Sequence, residues 1–294
     1  MPELPEVEVV RLGLEPAVTG AVVTGVEVLD ERSLRRHDPG TGAFDALLLG
    51  SRMSAPARRG KFLWVPLLAG PAGVPVHALV VHLGMSGQLL LREPGAVDRH
   101  LRIRLMIEHP GLGEGAVHFV DQRIFGSMAV DPLGPADDDP EELIPARVRH
   151  IARDPLDPRF DDRRFLAALA TRSSGIKRVL LDQTVISGIG NIYADEALWA
   201  ARLHQDLRAA SLSPAQSRRL LAEVRSVLQR ALAEGGTSFD AQYVNVNGRS
   251  GYFARSLNAY GRTGQPCPRC GTPIVREAFM NRSSHRCPRC QRRP

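Results

Sequence analysis

Lysine is almost absent from this chain of 294 residues: 36 of the 38 basic side chains are arginine, and only Lys61 and Lys177 remain. Arginine never deprotonates, so a lysine retained against such a drift points to a use for an amine. Aromatic residues are scarce at 5%, but apolar residues reach 43%, which supports real cores and excludes disorder as the main state. Apolar runs such as Phe62–Val65 and Ala78–Val81 are far too short to span a bilayer. The acidic start (Glu3, Glu6, Glu8) lacks the basic-then-apolar pattern of a signal peptide. The expectation is a soluble, cytoplasmic protein with no membrane partner. Cysteine is missing from the first 266 residues, which leaves all four, Cys267, Cys270, Cys287 and Cys290, to the end of the chain.

The formal charge of +6 is uneven. Residues 1–150 are net −5, residues 151–250 net +3 and residues 251–294 net +8. A basic tail is the footprint of a polyanion binder, or simply a solvated end.

Hydrophobic patterning divides the chain. Val7, Val10, Leu14 and Val18 fall at helical spacing. The rest of the first 130 residues reads as β, in runs such as Ala78–Leu91, Arg102–Glu108 and Ala116–Gln122 separated by Gly, Pro and Asp. The acidic, proline-rich stretch Asp131–Pro145 reads as an inter-domain linker. Helical patterns follow around Phe165–Leu169, Val179–Leu181 and Pro214–Ala233, the last with Ser213 as N-cap and Gly235–Gly236 as terminator. The limits expected are residues 1–131 for a β domain, 132–160 for the linker, 161–256 for a helical domain and 257–294 for a finger.

That finger is the strongest local signal. Two CxxC pairs sixteen residues apart place two sulfurs on each of two tight turns, as in a zinc ribbon. Disulfides are the alternative, disfavoured by an intracellular setting. Four thiolates close a tetrahedral site and leave no position for substrate, so one structural Zn²⁺ is expected. Such a ribbon offers Arg276, Arg282 and Arg286 to a phosphate backbone.

Two further features are weaker. The glycine-rich run Ser187–Ala194 precedes a helix, where backbone N–H groups and Asn191 would face a phosphate, although any helical corner wants glycine. The start Met1-Pro2-Glu3-Leu4-Pro5-Glu6 would expose a secondary amine on Pro2 once Met1 is removed. An α-amino group has a pKa near ~8, so a usable fraction is neutral at pH 7. Its attack on a sugar C1′ gives an iminium, an electron sink for elimination, with Glu3 placed for proton transfer. These residues alone favour a plain helix start with acids complementing its dipole.

Six ordered motifs together change that balance: MPELPEVE, Arg59-Gly60-Lys61, His82–Gly87, Asp121–Gly126, Gly188–Ala194 and Gly251-Tyr252-Phe253, followed by the cysteine finger with Asn281-Arg282-Ser283-Ser284. In these the whole chain resembles the bacterial formamidopyrimidine-DNA glycosylases of the Fpg/Nei superfamily. The resemblance implies an α+β multidomain fold: an N-terminal helix with a two-sheet β-sandwich, a helix–two-turn–helix domain, and a zinc-ribbon finger. It implies a bifunctional glycosylase/AP lyase acting on oxidised purines in damaged double-stranded DNA, as a monomer. Pro2 would be the nucleophile, Glu3 the acid, Lys61 the proton donor for β-elimination and Arg282 that for δ-elimination. His100, Arg123, Lys177 and Asn191 would contact DNA. Met85, Arg123 and Phe125 would fill the gap left when the base leaves the stack.

The sequence departs from the family at Arg286, Gln122, Ile124, Ser173 and Ser174, none of them catalytic. Leu4 favours the purine branch over the branch acting on oxidised pyrimidines. A non-catalytic nucleic-acid binder is the third reading, opposed by the intact start and Lys61. Thr237–Leu257 is expected to include a loop that closes over the extruded base.

Overall fold

The computed structural model describes residues 2–68, 73–237, Val246 and 253–294. It forms two compact units. The first holds Met1–Pro2, Glu6–His150 and Ser238–Gly251, and the second Glu3–Pro5, Ile151–Thr237 and Tyr252–Pro294.

The first unit is antiparallel β. Its strands are β1 (Val22–Val28), β2 (Arg52–Met53), β3 (Ala57–Arg59), β4 (Phe62–Leu68), β5 (His77–His82), β6 (Gly87–Arg92), β7 (Leu101–His109), β8 (Gly113–Asp121), β9 (Ser127–Ala136) and β10 (Asp139–Pro145). They pair in the order β10-β9-β5-β4-β2-β1-β7-β8-β6, with β3 on β4. The two-residue β2 and a bulge in β1 between Val23 and Gly25 sit where this path turns. The path folds over into the β-sandwich: Leu63, Val65, Leu79, Val81 and Val130 from one half share a core with Leu89, Ile103, Leu105, Val117 and Phe119 from the other. Helix α1 (Leu4–Val18) adds Val7, Val10, Leu14 and Val18 to that core, as their spacing requires. The short α2 (Phe44–Leu48) buries Phe44 and Leu48 against it.

The stretch Asp131–Pro145 is not a linker. It is the end of β9 and all of β10, a hairpin on the sheet edge. Its acids are used: Glu142 and Asp138 pair with buried Arg59 at 2.9 and 3.7 Å, and Asp131 pairs with Arg147. Local composition suggested a loop because charge compensation from distant arginines is invisible in a sequence window.

The second unit packs α3 (Asp162–Thr171), α4 (Ile176–Leu180), α5 (Asn191–Ala201) and α6 (Pro214–Ala233) around one core containing Phe165, Tyr193, Leu198, Leu221 and Phe253. Helix α6 begins with a capping box in which Ser213 and Gln216 exchange side-chain-to-backbone bonds. The finger is a hairpin of β11 (Val275–Phe279) and β12 (Arg282–Arg286). No helix among the described residues is long and apolar enough to cross a membrane.

Candidate active site

The first turn of α5 is occupied by Glu3. Gly190 N–H donates to Glu3 Oε2 at 2.6 Å, Ile192 N–H to Oε1 at 3.0 Å and Tyr193 N–H to Oε2 at 3.4 Å. The carboxyl group is buried, and Leu4 N–H is fixed by the Gly188 carbonyl at 2.9 Å. A β-carbon on Gly190 would lie 2.4 Å from Glu3 Cδ, and one on Gly188, at φ +86°, 2.6 Å from Leu4. The glycine-rich turn therefore does bind an acidic group, but the group is the Glu3 carboxyl of this chain rather than a phosphate. Pro2, buried, immediately precedes Glu3, and Met1 lies outside the described residues.

Acidic side chains on α5 stitch the finger to the helix. Asp195 accepts from Ser284 Oγ and His285 N–H, both at 2.8 Å, and pairs with Lys177 Nζ at 2.6 Å. Glu196 accepts the N–H groups of Asn258, Ala259 and Tyr260 at 2.8–3.1 Å, and burial pushes its carboxyl pKa up. Asn191 Nδ2 donates to the Ser283 carbonyl at 2.9 Å, which fixes the strand beside Arg282. Arg282 itself is exposed, and its side chain bonds Asn281 Oδ1 at 3.1 Å among the described residues.

Lys177 is displaced from its expected place among phosphate contacts. It has no exposed surface and lies 4.7 Å from the Phe279 ring centre, beside Asp195. Burial lowers its pKa, opposed by Asp195 and reinforced by the charge of Arg282. Arg286 is likewise internal. It pairs with Glu277 at 2.5 Å and holds that carboxyl down to about 2, so of the three arginines expected to face phosphate, Arg276 and Arg282 are presented and Arg286 is not.

The four cysteine sulfurs all lie within 4.8 Å of one another, and all four residues are free thiols. Tetrahedral Zn–S bonds of ~2.3 Å separate sulfurs by about 3.8 Å, so the cluster fits one ion. Trp199 Nε1 donates to Cys267 Sγ and the Cys290 N–H to Cys287 Sγ, both at 3.4 Å, the outer contacts expected around thiolate ligands.

In the β unit, Lys61 follows Gly60 in the β3–β4 turn, held by the Arg59 pairs and by Arg58 on Glu8 at 2.8 Å. Burial and the charges of Arg36, Lys61 and Arg35 bring the nearby His82 down to about 4, so it is neutral at pH 7. Met85, Arg123 and Phe125 are exposed, Met85 and Phe125 at 42% and 49%. Their loops share one buried residue: Asp121 accepts from Ser86 Oγ at 2.6 Å, Arg123 N–H at 3.1 Å and Gly126 N–H at 2.7 Å. The Asp121 N–H donates to the carbonyl of His100, which is left-handed at φ 65°. Most of the 237–257 loop, namely 238–245 and 247–252, lies outside the described residues. Sequence reasoning missed the role of Asp121, whose partners are a serine 35 positions away and backbone N–H groups.

Family models match in three places. These are the formamidopyrimidine-DNA glycosylase N-terminal domain over residues 1–128, the formamidopyrimidine-DNA glycosylase H2TH domain over 151–242, and a zinc finger found in FPG and IleRS over 264–293. The formamidopyrimidine-DNA glycosylase of Leifsonia xyli subsp. xyli is 69% identical, the match covering 99% of this chain and 100% of that one. That of Thermobifida fusca is 56% identical, with 100% and 98% covered. Among solved structures, a complex between Lactococcus lactis Fpg and an abasic site containing DNA is similar with a TM-score of 0.82 at 28% identity, covering 99% of this chain and 100% of that one. Identity at this level, over the whole length of both chains, means that this chain belongs to the formamidopyrimidine-DNA glycosylase family.

Proposed function

We propose that this chain removes oxidised purines, 8-oxoguanine and formamidopyrimidines, from double-stranded DNA and then cleaves the strand. The observation that carries the reading is the buried Glu3 carboxyl seated on three backbone N–H groups, with Pro2 next to it in the chain. Removal of Met1 frees the Pro2 nitrogen. That nitrogen bonds C1′ as the C1′–base bond breaks and the sugar ring opens, with Glu3 handling the proton on the ring oxygen. The resulting iminium accepts the electron pair when a C2′ proton is lost and the 3′ C–O bond breaks. A second elimination breaks the 5′ C–O bond. Lys61 donates a proton to the first leaving phosphate, and the Arg282 guanidinium, charged throughout, donates hydrogen bonds to the second. Zinc supplies no chemistry to these steps; bound by Cys267, Cys270, Cys287 and Cys290, it holds the hairpin that carries Arg282.

His100, Arg123 and Asn191 are the DNA contacts of this reading. Met85 and Phe125 wedge into the gap while Arg123 reaches the orphaned partner base, a use supported by the exposure of all three. The protein acts as a monomer, and light scattering at working concentration checks that. Borohydride should trap a covalent complex with an 8-oxoguanine duplex, and Pro2→Gly should reduce trapping. Mature protein that excises the base yet cannot be trapped overturns the mechanism. Faster cleavage of thymine glycol than of 8-oxoguanine overturns the purine assignment.

A further inference from the structure

The turn between Arg123 and Phe125 is strained. Ile124 has φ 56°, in the left-handed region that a β-branched side chain rarely enters. Such a conformation persists only where its surroundings over-determine it, and it then tends to mark function. Asp121 binds the N–H groups of the turn, as described. The carbonyls are bound by one guanidinium. Arg35 Nη1 donates to the Ile124 and Gly126 oxygens, each at 2.9 Å, and Nη2 to the Phe125 oxygen at 2.5 Å.

Arg35 is itself placed by rigid parts. It caps the short 3-10 helix Glu31–Leu34, whose N-cap Asp30 accepts the Arg32 N–H. Asp30 also pairs with Arg102 at 3.2 Å, and Arg102 Nε donates to the Asp121 carbonyl at 2.8 Å. A closed ring of bonds thus runs from Asp121 through Arg102, Asp30, Arg32 and Arg35 back to the turn. A planar fork spanning three successive carbonyls is geometry that lysine cannot reproduce.

We propose that Arg35 is a positioning residue that holds Arg123 and Phe125 where they fill the gap behind an extruded base, against the strain at Ile124. This rests on the gap-filling reading above and adds a residue that reading does not use. Arg35 touches neither substrate nor the reacting atoms.

The test compares two single-turnover reactions. One is excision of 8-oxoguanine opposite cytosine in a duplex. The other is cleavage of an abasic site in a single-stranded oligonucleotide, which has no partner base and no gap. Arg35→Gln and Arg35→Lys should slow the duplex reaction by about tens of fold, less than the ~100-fold that a full ~1 Å misplacement of a catalytic group can cost. Single-strand cleavage should stay within about twofold, since the catalytic groups are untouched. Adding Ile124→Asn to Arg35→Gln should recover about severalfold, because asparagine tolerates the left-handed region. Parallel loss of both reactions, or loss of neither, overturns the proposal. Phe125→Ala tests gap filling alone. If it slows duplex excision and Arg35→Gln does not, gap filling stands and the role of Arg35 falls. If Phe125→Ala leaves duplex excision unchanged, gap filling fails and the role of Arg35 fails with it.

Discussion

Gly190 and Glu3 are 187 positions apart and in bonding contact: the Gly190 N–H reaches Glu3 Oε2 at 2.6 Å, and no room exists for a side chain on the glycine. The backbone of Gly190 is extended, at φ −123° and ψ −156°, so other residues adopt it without strain. The glycine is required by proximity rather than by conformation.

Gly190→Ala should therefore act on Glu3. The added carbon, 2.4 Å from Glu3 Cδ, must push the carboxyl off its seat. Base excision is expected to fall about 100-fold or more, the scale of a ~1 Å displacement of a catalytic group. Affinity for a duplex should change little. Single-turnover excision and equilibrium binding on the same preparation check both. Equal losses in the two would mean that the helix, not the carboxyl, had moved.

What was legible in the sequence follows from range. The helix α6 with its cap, the strand pattern of β7 and β8, and the cysteine ribbon rest on contacts within a few residues or on a fixed ligand spacing. The linker reading of Asp131–Pro145 failed because Arg59, 83 positions before Glu142, and Arg147, just past the stretch, turn a charged loop composition into a sheet edge. The phosphate reading of Ser187–Ala194 had the chemistry right, since helix N-termini take anions, but nothing local says which anion arrives. Lys177 looked useful because lysine is rare here. It is used, though as the buried partner of Asp195.

That pair makes a prediction about stability rather than binding. Lys177→Met leaves Asp195 charged and buried without its partner, a change that typically costs about 3–5 kcal/mol. Urea denaturation should show the loss, and Lys177→Met with Asp195→Asn should recover part of it. For the fraction that stays folded, the salt dependence of DNA binding should match that of the parent. Arg282→Ala, by contrast, should reduce the slope by about one counterion. A reduced slope for Lys177→Met would put its ammonium back on a phosphate.

Zinc removal should separate the finger from the helices. Strands β11 and β12 lie between the two cysteine pairs, so the metal fixes the hairpin and with it Arg282. A chelator should release one Zn²⁺ and expose four titratable thiols. DNA affinity should fall by more than tenfold, about what loss of several phosphate contacts implies. Far-ultraviolet dichroism should keep its helical signal, because α3–α6 have their own core. Retention of full DNA affinity by the metal-free protein would contradict this arrangement.

His82 gives a pH dependence of definite sign. Burial first, then the charges of Arg36, Lys61 and Arg35, lower its pKa from 6.5 to about 4. The unfolded chain therefore binds a proton at His82 that the folded chain refuses between those values. Stability from this residue is complete above pH 6.5 and is lost progressively as pH falls toward 4, by at most about 3 kcal/mol. His82→Gln keeps an acceptor for the Gly84 N–H, which the ring now binds through Nδ1 at 3.1 Å, and cannot be protonated. Urea midpoints of the two proteins, measured from pH 7.5 to 4.5 with excess zinc, should run parallel above about pH 7 and diverge below it. The parent should fall more steeply. Acid loss of the cysteine ligands is common to both proteins and cancels in the difference. Parallel curves down to pH 4.5 would mean that His82 accepts its proton in the folded protein, and that its ring is not shielded by the cations around it.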